Sequence, residues 1–187
     1  RAISDGLKVN EVAWAIYTEG AATPLPDFQG VLPISEKEGT LEVRLVTGRK
    51  YDIALFAYYT ENPTTEQVNV ATPAPKYYQV DWNNKLVAVQ YPEGPLANEN
   101  DARDCFWYVE KALEVNAPVT KTFTLTRPLA QLNFGVSAED TVAAADAGLA
   151  VSQSKIVAST YTQFNMFTGE CLDAQPVEYT FAQNDVP

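Results

Sequence analysis

The sequence contains no histidine. That absence removes the commonest general base and the commonest metal ligand together. Cysteine is nearly as scarce: Cys105 and Cys171 stand far apart and in no ligand spacing. They are either one disulfide, if the chain is exported, or two buried thiols acting as small hydrophobes. Basic residues are outnumbered, with 13 Lys+Arg against 24 Asp+Glu and a net charge of −11. Such a surface repels phosphate backbones and anionic lipid, which argues against nucleic-acid and membrane-surface roles. No run approaches the roughly 18 apolar residues that a membrane-crossing helix needs.

Chemical motifs are missing too. There is no Gly-x-Ser-x-Gly elbow and no phosphate-binding glycine loop. Without histidine, a nucleophilic triad would need lysine or carboxylate substitutes. Carboxylates are so numerous that chance pairs at glycosidase separation carry no signal. The composition points away from an enzyme, and neither a cofactor nor a metal is expected. There is no internal repeat and no low-complexity segment. The chain starts at Arg1 with neither an initiator methionine nor an apolar leader. It is therefore expected to be a mature product, or a piece of a longer one, with any signal peptide already removed.

What remains is a chain built for a core. Of its 187 residues 46% are hydrophobic and 11% aromatic, which excludes disorder. Glu11 to Thr18 reads as a strand with Val12, Trp14 and Ile16 on one face and Ala13, Ala15 and Tyr17 on the other. Both faces are apolar, so this strand is expected to be covered on two sides. Residues 19–33 read as a proline-rich loop. Thr40 to Val46 alternates, Leu41, Val43 and Leu45 inward and Glu42 and Arg44 outward; Thr47-Gly48-Arg49-Lys50 then leads to Tyr51–Tyr59. The pattern predicts a hairpin whose second strand is central.

Residues 60–104 form a long irregular insertion, with short strands expected near 77–80 and 86–90 around a turn at Asn83-Asn84. Its end, Asn98 to Asp104, is rich in oxygen ligands but lacks the Asp-x-Asp-x-Asp-Gly order of a calcium loop, so a solvated acidic loop is expected. Cys105 to Val115 is read as a strand in which Cys105, Trp107, Val109 and Leu113 share a face. Val119 to Leu125 alternates again.

Asp140 to Leu149 is the one convincing helix, with Asp140 as its cap and Gly148 near its end. Lys155 to Thr160 is a strand, Phe164–Phe167 leads into a turn at Thr168-Gly169, and Val177, Tyr179 and Phe181 mark a last strand. About nine short strands and one short helix, joined by proline-rich turns, predict an all-β, two-sheet sandwich. Among the aromatics, Tyr58, Tyr77, Tyr78 and Trp82 are candidates for a platform on which sugar rings stack. The alternative is that one tyrosine of each pair belongs to the core.

The most informative run is Thr126–Val136. From Ala130 it alternates, Ala130, Leu132, Phe134 and Val136 against Gln131, Asn133 and Gly135, with Arg127 and Pro128 at its entrance. The run Arg127-Pro128-Leu129-Ala130-Gln131-Leu132-Asn133-Phe134, followed by an alanine-rich helix, resembles the fimbrillin-like family, the type V pilins of anaerobic Gram-negative bacteria. The segment Phe164-Asn165-Met166-Phe167-Thr168-Gly169 is similar to that family's turn ahead of the closing strand.

The resemblance implies a transthyretin-like sandwich, the N-terminal domain of an exported lipoprotein whose second domain is absent from these 187 residues. It further implies trimming after an arginine, with Arg1-Ala2 as a possible position, and assembly by strand donation. The expected role is a non-catalytic structural or adhesive subunit at the outer-membrane surface. Its expected partners are other fimbrial subunits, with surface glycans or proteins beyond them. The alternative is a glycan-binding module using the aromatic platform.

Overall fold

The computed structural model describes residues 4–91, 100–130, 137–149 and 153–182. Among these residues nine strands form two antiparallel sheets: β1 (Glu11–Thr18), β2 (Gln29–Pro33), β3 (Arg49–Tyr58), β4 (Val68–Asn69), β5 (Tyr78–Asp81), β6 (Leu86–Val89), β7 (Phe106–Val115), β8 (Gln153–Asn165) and β9 (Cys171–Ala182). The first sheet has the order β4-β2-β1-β3-β7 and the second β5-β6-β8-β9. With one short helix, α1 (Ala138–Asp146), this is the expected all-β two-sheet architecture.

The core follows from β1 and β3. Their residues are apolar on both parities, and β1 lies between β2 and β3 in the middle of the five-stranded sheet. One face turns Ala13, Ala15, Tyr17, Ala54, Phe56 and Tyr58 toward Tyr78, Trp82, Val87, Phe164 and Met166 of the second sheet and its turns. Alanine meets aromatic across the ladder, Ala13 opposite Phe56, so large and small side chains interdigitate. Ring contacts bind this layer: Phe56 and Tyr78 lie edge-to-face at 5.4 Å, Tyr17 and Phe167 at 5.0 Å, and Trp107 and Phe164 at 5.6 Å.

The opposite face carries Val12, Trp14, Ile16, Tyr51, Ile53, Leu55 and Ala57. It is covered by Leu25, Phe28 and Ile34, by Leu41, Val43 and Leu45, and by Phe123 and Leu125. The domain is thus a sheet buried on both sides, as the apolar character of β1 requires.

Four expectations are corrected. Thr40–Val46 has the predicted inward and outward parity but no ladder partner among the described residues. Both edges of β3 are occupied by β1 and β7, so this segment lies across the face instead of pairing beside it. Residues 29–33, read as loop, are strand β2. Gly30 is required there because a Cβ would lie 2.1 Å from the Val68 carbonyl oxygen of β4. In β7, Trp107 and Val109 face the second sheet, but Leu113 packs on the opposite face. The register shifts between Tyr51 and Ile53, with Ala112 at φ 55°, and a one-residue bulge reverses parity.

Helix α1 is capped by Ser137 rather than Asp140. The Ser137 hydroxyl accepts from the Asp140 amide at 3.1 Å and donates to the Asp140 carboxylate at 2.7 Å. It ends where Gly148, at φ 71°, lets the amides of Gly148 and Leu149 reach back to Ala145 and Ala144.

A buried carboxylate locks the bulge. Asp52, 5% exposed, accepts from the Ala112 amide at 2.8 Å and from the Gly20 amide at 2.9 Å. Asp52→Ala removes the acceptor of the half-buried Ala112 amide and of the Gly20 amide and is expected to lower unfolding free energy by about 2 kcal/mol in urea titrations. The untouched parity of β1 is expected to keep the fold recognisable by circular dichroism.

Candidate functional site

The sequence-predicted residues fall into three places. The first is the entrance to the run beginning at Arg127. The Arg127 guanidinium grips Asp104 through two parallel bonds of 2.8 Å, donates to the Ser4 carbonyl at 2.5 Å and lies 4.6 Å over the Phe106 ring. Asp104 is almost wholly buried, and its hydrogen bonds raise the affinity of Arg127 for its proton. The pair ties three pieces together: the N-terminal arm, the start of β7 and the segment leaving Thr126. Gly6 helps, since it takes φ 80° and a Cβ there would press to 3.0 Å from the Phe106 ring. Pro128 is half-buried, while Leu129 and Ala130 are exposed. Leu132 and Phe134 lie outside the described residues, as do Arg1 and Ala2.

The second place is the turn after β8. Phe164 and Met166 are buried in the layer between the sheets. Asn165 organises the turn, its side-chain oxygen accepting from the amides of Phe167 at 2.9 Å and Thr168 at 3.1 Å. Gly169 takes the left-handed conformation, φ 72°. Lys85 crosses from the β5–β6 turn to donate to the Ala21 carbonyl at 2.7 Å. Its ammonium sits 4.3 Å over Phe167 and 5.1 Å over Tyr17. This segment docks one sheet to the other.

The third is the proposed aromatic platform, which the structure dismantles. Tyr58, Tyr78 and Trp82 are buried, at 0%, 3% and 5% exposure. Strand parity sends Tyr58 and Tyr78 into the core. The Tyr58 hydroxyl donates to the Glu11 carboxylate at 2.5 Å, and the Tyr78 hydroxyl to the Arg103 carbonyl. Burial is the main reason both phenols are held well above the ordinary tyrosine range. Tyr77 alone is half-exposed, and the Arg103 guanidinium covers it at 4.4 Å. No flat row of rings is available for stacking.

Sequence reasoning missed Glu11. Its carboxylate is 3% exposed, and beyond Tyr58 it accepts from the Thr64 amide at 2.9 Å and hydroxyl at 3.1 Å. Asn10 adds a reciprocal pair with Thr60, at 2.9 and 3.0 Å, so the two residues staple the loop after β3 to β1. The acidic run splits in two. Asn100–Asp104 forms a 3-10 turn capped by Asn100 and closed by Asp104, while residues 98 and 99 lie outside the described residues. Among the described residues there is no cluster of three metal-ligating side chains, and no helix long and apolar enough to cross a membrane.

The surface that stands out is the outer face of the five-stranded sheet. Two extended segments cover it without strand ladders among the described residues. Residues 40–46 begin where Gly39 meets Leu32 and Ile34 and end where the Tyr51 hydroxyl bonds the Val46 amide and carbonyl. The Gln67 carboxamide substitutes for a neighbouring strand, bonding the Glu42 amide at 2.9 Å and carbonyl at 2.8 Å. Residues 119–125 lie along β7, Phe123 stacked on Tyr108 at 5.2 Å and Thr126 paired with Trp107. Backbone groups held this way are a template for added strands.

The cysteines are unpaired, Cys105 buried and Cys171 exposed. Burial pushes the Cys105 thiol up to about 12, so at pH 8 the folded protein holds it as thiol. Titration with an aromatic disulfide at pH 8 is expected to find one fast thiol, and the second only after unfolding.

Neither a curated protein nor a solved structure matches the chain. Residues 12–186, which run from β1 beyond β9, match one described family. The chain belongs to that family of unknown function, DUF6562.

Proposed function

We propose that this chain is a non-catalytic structural or adhesive subunit of a surface fimbria, exported to the outer-membrane surface and joined to other subunits by strand addition. On this reading its sandwich is of the transthyretin-like kind.

The observation that carries the reading is the outer face of the five-stranded sheet. Val12, Trp14, Ile16, Leu55 and Ala57 form an apolar surface whose cover is two extended segments held by side chains. A strand with alternating apolar residues, laid beside either segment, would pair with backbone groups that have no ladder partner among the described residues. The resemblance of residues 126–134 and 164–169 to the fimbrillin-like family points the same way. The acidic surface, net charge −11, suits a protein that is secreted in quantity and stays soluble until it assembles.

Antibody raised against the folded chain is expected to label filaments on the surface of the producing cell. Those filaments, taken up in detergent without boiling, are expected to run as a ladder that collapses to monomer on boiling. Labelling confined to the cell interior, or a single monomer band without boiling, contradicts the proposal.

A further inference from the structure

A cleft of about 320 Å³ opens between the segment that follows β4, at the edge of one sheet, and β5, at the edge of the other. One wall is Gln29 with residues 70–73, and the other is residues 79–83. That volume is at the low end of ligand pockets, ~300–1,000 Å³. It suits one or two sugar rings better than a folded partner.

Its lining is polar and almost uncharged. Gln29, Gln79 and Asn83 bring carboxamides, Thr72 a hydroxyl and Asp81 the single carboxylate. Asn84 fixes that carboxylate, its amide bonding one oxygen at 3.1 Å and its side chain the other at 2.7 Å. Trp82 also lines the cleft; it is 5% exposed, and its indole Nε1–H finds no acceptor among the described residues. The Trp14 indole N–H, enclosed in the core, is likewise without an acceptor, but of the two tryptophans only Trp82 lines the cleft, where an oxygen of a bound molecule could meet its donor. Val70 turns the wall at φ 60°, a conformation that β-branched residues rarely adopt, and the Gln29 carbonyl holds it by accepting from the amides of Val70 and Ala71.

We propose that this cleft binds a neutral saccharide, whose hydroxyls exchange hydrogen bonds with the carboxamides of Gln29, Gln79 and Asn83 and donate to Asp81. One carboxylate is too few for a divalent cation. The same negative charge, on a chain this acidic, turns away phosphorylated and carboxylated ligands. Carboxamides supply donor and acceptor side by side, which matches vicinal hydroxyls. The site differs from the aromatic platform expected from sequence: recognition here is by hydrogen bonds at a sheet edge, with Trp82 buried as part of the wall. It is independent of strand addition, so a chain that assembles but ignores sugars loses this proposal alone.

The test uses the whole chain labelled with ¹⁵N at its three tryptophan indoles, the Trp82 signal being assigned from a Trp82→Phe variant. Methyl glycosides of mannose, galactose and N-acetylglucosamine are titrated in at millimolar concentration, with glucuronic acid as the charged comparison. At least one neutral sugar is expected to move the Trp82 resonance saturably while Trp14 and Trp107 stay in place. The double variant Gln79→Ala, Asn83→Ala changes two exposed side chains and is expected to weaken that response about tenfold, with the rest of the spectrum retained. Silence from all three neutral sugars overturns the proposal. So does a response that the double variant leaves unchanged, or a stronger response to glucuronic acid.

Discussion

Everything in this fold depends on a central pair of strands that cannot tolerate water on either face. β1 and β3 run side by side, with Trp14, Ile16, Leu55 and Ile53 on one surface and Ala15, Tyr17, Ala54 and Phe56 on the other. Burying a large side chain of this kind is worth roughly 1.5–3 kcal/mol, so both surfaces must find cover. The second sheet supplies one cover through its aromatic side chains. Loops and two extended segments supply the other, and the difference between these covers shapes the molecule.

Burying a sheet on both sides also traps polar groups, and the carboxylates and the lysine among them are each met by a specific partner, while the Trp14 indole N–H finds none among the described residues. Asp52 takes the Ala112 amide at the bulge in β7 and the Gly20 amide after β1, and Glu11 takes the Tyr58 hydroxyl and the Thr64 amide. Lys85 meets a carbonyl and two ring faces rather than a carboxylate. Such contacts hold loops to strands more than they add to the core, because a buried polar group without a partner costs free energy. The Arg127–Asp104 pair performs the same task at the surface. It joins segments more than a hundred residues apart, since Arg127 also bonds the carbonyl of Ser4.

Much of this was legible in the sequence, and the failures share a cause. β1 could be read because the residues between Glu11 and Thr18 are apolar on both parities. The interior of the insertion could be read because Asn83-Asn84 separates two β-rich runs that became β5 and β6. Periodicity reports which way a side chain faces, however, and says nothing about what the backbone pairs with. Leu41, Val43 and Leu45 therefore pointed inward as expected while the hairpin they suggested does not exist. Gly30 and Pro33 looked like loop residues because the close approach of Val68 that demands a glycine is a tertiary fact. Leu113 changed face at a bulge that no local pattern announces. Tyr58, Tyr78 and Trp82 had to be core or surface, and only the second sheet decided. The polar cleft was invisible for the same reason, since only the fold brings Gln29 beside residues 70–73 and 79–83.

The five-stranded sheet is bonded as a ladder within its plane but covered on its outer face by segments that have no ladder among the described residues and are tied through side chains and the single backbone bridge of Thr126 with Trp107. Residue-resolved amide hydrogen exchange on the isolated chain tests this directly, because exchange reads opening free energy amide by amide. The account expects β1 and β3 amides to exchange only through global unfolding, and those of residues 40–46 and 119–125 to exchange orders of magnitude faster. Equal protection of those segments and β3 would contradict it.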